Sequence, residues 1–323
     1  MELAFSTLLS PIVLFFLLGL SAALLRSQMS VPEAFAKGLA IYLMMAIGLK
    51  GGVEMSKNTL TPEVISLFVA ALALSFLLPI IAFRLLQVTT GLSKIDAAAA
   101  AAHYGSISIV TFVAASEAIR LAGFEASGHL VAVAALMETP AIISALLLVK
   151  RDKSNPVAGS EKGELVREVL LNASVVVLLG ALAVGWINGE EGIQKIAPFF
   201  VSPFQGVLCL FLLDMGLSAG RGLRQGWKQL QWTTIMFGIY MPLISAVFAA
   251  GTSYILGLST GDAALLIVLA ASASYIAVPA AMRLALPAAQ PGIYLTLSLG
   301  ITFPFNIIAG IPIYILLAEF VSA

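Results

Sequence analysis

The chain has 323 residues, 60% hydrophobic and 11% charged, with 17 Lys and Arg balancing 17 Asp and Glu. Its mean hydropathy of +1.03 lies far outside the range of soluble domains and excludes an ordinary water-soluble enzyme. Zero net charge offers no basic surface for nucleic acid, and the lone Cys209 excludes an internal disulfide or a cysteine-built metal cluster.

Ten apolar segments follow in chain order, near 8–25, 35–53, 63–88, 96–122, 129–149, 166–187, 202–220, 230–256, 262–285 and 292–318. All are close to the roughly 20 residues that cross ~30 Å of hydrocarbon. The expected fold is an all-α polytopic membrane protein with ten transmembrane helices. No basic stretch precedes the first segment, whose first basic neighbour is Arg26, so it is expected to stay as a spanning helix and not be removed as a signal. The second segment is the weakest, because Lys37, Lys50 and Glu54 crowd its ends. The polar stretch from about Lys150 to Glu168 reads as a linker.

Charge bias sets the expected direction. A cytoplasmic 150–165 loop places both termini outside. Thirteen basic residues then face the cytoplasm (Arg26, Lys37, Arg84, Lys94, Lys150, Arg151, Lys153, Lys162, Arg167, Arg221, Arg224, Lys228 and Arg283), and four face outward (Lys50, Lys57, Arg120 and Lys195). The expected location is the cell inner (plasma) membrane.

The two halves match in register. Ile47-Gly48-Leu49 with Gly52 corresponds to Met215-Gly216-Leu217 with Gly220. Asp96-Ala97-Ala98 corresponds to Asp262-Ala263-Ala264, Ser106 to Ser274, and Glu138-Thr139-Pro140 to Thr302-Phe303-Pro304. With an odd number of spans per unit, the second unit enters the membrane in the opposite sense. The expected domains are a first five-helix repeat (1–149), a cytoplasmic linker (150–165) and a second, inverted five-helix repeat (166–323).

The fourth segment of each half carries a cluster of small, hydroxyl-bearing residues: Gly105-Ser106-Ile107-Ser108 and Ser272-Ala273-Ser274, the latter followed by Pro279. Paired interruptions at equivalent points of two membrane repeats point to a transporter's substrate site. Each break would create a half-helix N-terminus with free N–H groups and a positive dipole end, suited to an anion. Ser106, Ser108, Ser272 and Ser274 add hydroxyl donors. Gly and Ser also serve close helix packing, and either cluster alone fits that reading.

Ionisable residues inside the membrane cost about 2.5–3.5 kcal/mol at mid-helix and are functional candidates. His103 either lines the substrate cavity or is a buried neutral histidine bonded to a carbonyl. Glu138, beside Pro140, is a candidate cation ligand. Asp214 either pairs with Lys50 across the halves or belongs to a cation site. Asn306 offers an amide ligand or an interhelical hydrogen bond. His129 lies at an outer boundary. Asp96 and Asp262 open their segments and read as helix caps or interfacial residues. Trp186, Trp227 and Trp232 fall at expected interfaces. No nucleophile elbow, Walker loop or zinc spacing is present, so neither enzyme chemistry nor ATP bound to this chain is expected to drive the process.

Five stretches together resemble the SbtA-type sodium-dependent bicarbonate transporter family. They are Ile47 to Gly52, His103 to Ser108, Met137-Glu138-Thr139-Pro140-Ala141, Ala271-Ser272-Ala273-Ser274-Tyr275, and Arg283 to Pro291. The resemblance implies two inverted repeats forming a core and a gate, a homotrimer, Na+ as coupling ion with no further cofactor, and symport of bicarbonate. It places the anion at Gly105, Ser106, Ser272 and Ser274. The chain departs from the family pattern at Tyr275, where an aspartate is expected, at Ala277 and Val278, where a serine and a glycine are, and at Glu138, where the carboxylate is Asp. Its linker is also short for docking a PII-like cytoplasmic regulator.

The leading expectation is therefore Na+-coupled transport of bicarbonate or a similar small anion by alternating access. The substrate residues are Gly105, Ser106, Ser108, Ser272, Ser274 and His103, and the cation residues Glu138, Asn306 and Asp214. A carrier for a larger organic carboxylate and a non-transporting membrane sensor are the other readings.

Overall fold

Backbone polar groups in hydrocarbon must be satisfied within the segment, which selects helices. In the computed structural model, residues 11–57, 61–150, 173–226, 230–275, 278–279, 282 and 286–322 are described, and every regular element among them is helical. The first half contains α1 (Pro11–Leu24), α2 (Glu33–Lys57), α3 (Pro62–Thr89), α4 (Lys94–His103), α5 (Ile109–Leu121), α6 (His129–Leu136) and α7 (Glu138–Lys150). The second contains α8 (Ala173–Gln194), α9 (Ala197–Phe200), α10 (Phe204–Gly226), α11 (Trp232–Leu256), α12 (Thr260–Ala271) and a last rod, Pro291–Ser322. Linker positions 151–165, Trp227, Lys228, Ala277 and Arg283 lie outside the described residues.

Among the described residues, five helices are long and apolar enough to cross a membrane: Glu33–Val53, Pro62–Thr89, Ala197–Arg224, Trp232–Leu256 and Pro291–Ser322. α1 and α12 are shorter apolar helices. Exposed Val69, Val247, Ile255 and Phe320 place apolar side chains on the outer surface, as lipid contact requires. The chain is a multi-pass membrane protein.

The fourth predicted segment is two helices, α4 and α5, and α12 stops at Ala271, short of the predicted 285. The last rod is also irregular. It takes π-helical turns over Thr296–Thr302 and Asn306–Gly310, on either side of Phe303-Pro304-Phe305. A proline cannot donate the next helical bond, and widened turns around it are a common adjustment, often at functional sites.

α1 packs along α10, and α2 along α8, with bare glycines at both crossings. A Cβ at Gly19 would collide with the Leu213 carbonyl, and one at Gly216 with the Phe16 carbonyl. In the other pair, Gly185 meets the Leu49 carbonyl and Gly52 that of Leu182. Small residues permit backbone approach where lipid supplies no hydrophobic drive. α3, α4, α7, α11, α12 and the last rod pack among themselves, with α5 against α12. Past its crossing, α8 turns at Gly189, whose φ of 59° is available to glycine without strain. The following turn brings the Phe199 carbonyl onto the Tyr42 hydroxyl.

α4 and α12 begin identically. Ser93 caps α4 by accepting from Asp96 N at 3.1 Å, and Ser259 caps α12 by accepting from Asp262 N at 3.3 Å. The aspartates expected as caps are thus third-position partners of serine caps. Each carboxylate reaches into the opposite half of the chain. Asp96 accepts from Gln290 N at 2.8 Å, where the last rod starts, and Asp262 accepts from Ser127 N at 2.6 Å, just before α6.

Candidate functional site

The two interruptions meet. Ser274 N donates to the His103 carbonyl at 2.9 Å, and His103 Nδ1 bonds back to the Ser274 carbonyl. Since a carbonyl can only accept, Nδ1 carries a proton. Ser108 N donates to Ser272 Oγ at 2.9 Å, and that hydroxyl passes its own hydrogen to the Leu269 carbonyl at 2.8 Å. Three bonds thus join the residues ending α4 and opening α5 to those following α12.

Two interior prolines make room for this. Pro79 in α3 and Pro242 in α11 each lack an N–H, freeing the carbonyls of Ser75 and Gly238 from the helix ladder. Gly105 lies against the first kink. A Cβ there would sit 2.5 Å from the Ser75 carbonyl and collide with the Pro79 ring. The Gly238 carbonyl accepts from Thr302 Oγ1 at 2.8 Å. Thr302 has thereby spent its one hydrogen, so the Tyr104 hydroxyl, 2.7 Å away, donates to it.

Ser108 caps α5, accepting from Thr111 N at 3.2 Å and from Thr111 Oγ1 at 2.9 Å. The amides of Ile109 and Val110, the first two of α5, find no acceptor among the described residues, as helix geometry predicts for those positions. Ser106 Oγ and His103 Nε2 are fully enclosed and have no hydrogen-bond partner. His103 is 0% exposed, Ser106 1% and Ser274 2%. The Tyr275 hydroxyl is also buried; it faces the Ser108 hydroxyl and finds no acceptor for its own hydrogen.

The predicted cation residues lie on three elements, α7, α10 and the last rod. Glu138 starts α7, which packs on α4. It is 6% exposed and its Oε2 lacks a partner. Asn306 is structural in its bonding: its amide donates to the Ala271 carbonyl at 2.9 Å, and its oxygen accepts from Tyr314 at 2.8 Å. Asn306 thus makes an interhelical hydrogen bond. Asp214 is buried in α10. Lys50 is exposed, and among the described residues the two form no ion pair, contrary to expectation. Burying an ion pair costs several kcal/mol per ion before any Coulombic return, and the chain places these two charges in different environments instead.

Sequence reading missed the Tyr104–Thr302–Gly238 chain, the Ala271 cap from Asn306, and the Ser75 hydroxyl, which donates to the Met137 carbonyl at 2.6 Å. Pro79 and Pro242, equivalently placed in the third segment of each half, were the available signal.

Discontinuous membrane helices with their open ends together are how secondary transporters build sites. The chain belongs to the Na+-dependent bicarbonate transporter superfamily, whose family model matches residues 11–319. None of the curated proteins matches it.

Proposed function

We propose that the chain is a secondary transporter that carries bicarbonate or a similar small anion with Na+ by alternating access. The observation that carries this reading is the joined pair of interruptions, with Ser106 Oγ and the Ile109 and Val110 amides left as bare donors beside it. A helix dipole alone contributes about 0.3–1 kcal/mol, rarely ~2. Removing an anion from water costs several kcal/mol. Direct donors, worth about 1.5–3 kcal/mol each to a charged acceptor, must supply the difference. His103 Nδ1, the Ser272 hydroxyl and the Ser274 backbone have spent their hydrogens within the protein and hold the site's shape. Ser106 retains its hydrogen for the solute.

Glu138 supports cation coupling. A buried carboxylate with a bare oxygen calls for a cation or a proton, and α7 packs against the helix whose C-terminal end meets the interruption. Na+ there and an anion at α5 would each lower the cost of dehydrating the other. No bond-making step enters this cycle, so the chain is read as a carrier and not an enzyme.

The architecture we infer is ten spans in two inverted five-helix repeats, 1–149 and 166–323, joined by the 150–165 linker, with both termini outside the plasma membrane. Supporting it, bonds between segment ends join ends that this topology puts on one face. Arg224 donates to the Ala23 carbonyl at 2.9 Å and Arg221 to that of Met29 at 2.7 Å, with Gln290 on Asp96, all on the inner side. Gln205 bonds Glu117, Ser127 bonds Asp262, and Thr260 lies 2.7 Å from Ser322, all on the outer side. α1, α2, α8 and α10 would form the gate against which the remainder moves. The family resemblance adds a homotrimer, and a PII-like regulator would have the short linker to dock on.

Counterflow in proteoliposomes, with and without Na+, across bicarbonate, sulfate and short carboxylates tests this reading. Na+-dependent exchange of bicarbonate supports it. Saturable binding without flux would make the chain a sensor, and exchange restricted to larger carboxylates would change the substrate class.

A further inference from the structure

The hydrogen-bond inventory around the second interruption singles out Tyr275. Its side chain is 9% exposed, and its hydroxyl is buried with no acceptor for its hydrogen. The ring is held edge-on by Phe303 at 5.1 Å between centroids, and Phe303 is held the same way by Phe16 of α1 at 5.3 Å. The phenol is therefore a fixed group, aimed by its packing at the neighbourhood of Ser108.

Ser108 determines what that neighbourhood lacks. A serine hydroxyl has two lone pairs and one hydrogen. Both lone pairs are engaged, by Thr111 N at 3.2 Å and Thr111 Oγ1 at 2.9 Å. The remaining hydrogen faces the Tyr275 oxygen, so Ser108 offers the phenol a donor and no acceptor. The Tyr275 hydroxyl hydrogen is thus left without an acceptor in a dry locality next to the open end of α5. Leaving buried donors unmet is costly, and replacing a phenol by a phenyl ring there would remove the cost if packing were its purpose. What the locality lacks is an oxygen acceptor.

We propose that Tyr275 is a substrate-binding residue whose phenol O–H, its oxygen facing the Ser108 hydroxyl, donates to an oxygen of the transported oxyanion. This rests on the anion-transport reading above and extends it to a group on the second interruption. The same anion is then held from both sides, by Ser106 and the α5 amides on one and by Tyr275 on the other. The aromatic contacts of Tyr275 with Phe303, and of Phe303 with Phe16, also tie the bound anion to α1, in the other packing group.

The test compares Tyr275→Phe with the wild-type chain in proteoliposomes, by counterflow of labelled bicarbonate. Phe keeps the ring and removes the donor. The KM for bicarbonate is expected to rise about tenfold or more, the effect of one lost bond to a charged acceptor, with kcat and the Na+ half-saturation unchanged. Tyr275→Leu, which also lacks the hydroxyl, should show the same KM shift, and in both variants the bicarbonate-induced rise in melting temperature should shrink. A KM within about twofold of wild type in Tyr275→Phe, beside a raised KM in Ser106→Ala, would overturn the role of Tyr275 and leave the anion site standing. Absence of counterflow in the wild-type chain would remove the transport reading and the Tyr275 assignment with it.

Discussion

His103 and Ser274 hold each other twice: Ser274 N donates to the His103 carbonyl at 2.9 Å, and the His103 imidazole returns a bond to the Ser274 carbonyl. The pair works as a two-point clasp between chain segments 171 residues apart. Unwound backbone survives in a membrane protein when each half of the break satisfies the other, and here one side chain does part of that work.

Replacing His103 by Ala leaves the Ser274 carbonyl unmet in a buried place. The expected cost is about 1–3 kcal/mol, read as a fall in melting temperature in detergent, together with loss of anion counterflow. Gln, whose amide can donate from a similar distance, should restore part of both. Equal loss in the Ala and Gln variants would show that imidazole shape matters more than the bond.

Gly105 is fixed by the kink in α3. Gly105→Ala places a methyl against the Pro79 ring and 2.5 Å from the Ser75 carbonyl. Rigid overpacking of this kind costs about 1–3 kcal/mol, and the first interruption must shift away from α3. Transport should be lost while the protein still inserts, and a freely transporting Ala variant would contradict the close approach.

Asn306 protects the last carbonyl of α12. Asn306→Leu strands both that carbonyl and the Tyr314 hydroxyl, for roughly 2–6 kcal/mol if each costs what a buried orphan usually does. Asn306→Asp keeps the acceptor for Tyr314 and loses the donor to Ala271, so it should fall between. If Asn306 were instead a cation ligand, the Asp variant would tighten Na+ half-saturation with no loss of stability.

On the proposed outer face, Glu117 of α5 accepts from Arg120 at 2.6 and 3.0 Å and from Gln205 of α10. Gln205 thereby links the two packing groups. Gln205→Leu leaves the carboxylate with its arginine, so stability should drop by about 1 kcal/mol or less. The turnover rate should change while the bicarbonate KM stays constant, because the bond bears on the movement of one group against the other. A raised KM at unchanged rate would argue against that linkage.

Much of this was legible in the amino-acid order, because interruptions in apolar helices are punctuated by residue type. Gly105, Ser106 and Ser272 marked both breaks, and the paired Asp96 and Asp262 marked matching helix starts. The shared run is in fact longer, Gly91-Leu92-Ser93 matching Gly257-Leu258-Ser259, and its Ser-x-x-Asp spacing is a capping signal that places the caps three residues earlier than expected. What stayed hidden depends on depth and partners. Nothing local to Asp214 or Lys50 reveals that one is buried and the other exposed. The partner of Asn306 is a backbone carbonyl 35 residues away, and no side-chain pattern encodes it. Tyr275 reads as a departure in a family pattern until its hydroxyl is seen beside the filled lone pairs of Ser108.

The most direct measurement is accumulation of labelled bicarbonate in proteoliposomes under an imposed inward Na+ gradient, comparing the wild-type chain with Ser106→Val/Ser274→Val. The wild type should accumulate the anion in proportion to the gradient. The double variant, inserted to the same extent, should accumulate none. Undiminished gradient-driven uptake by the double variant would contradict an anion site at the meeting of the two interruptions.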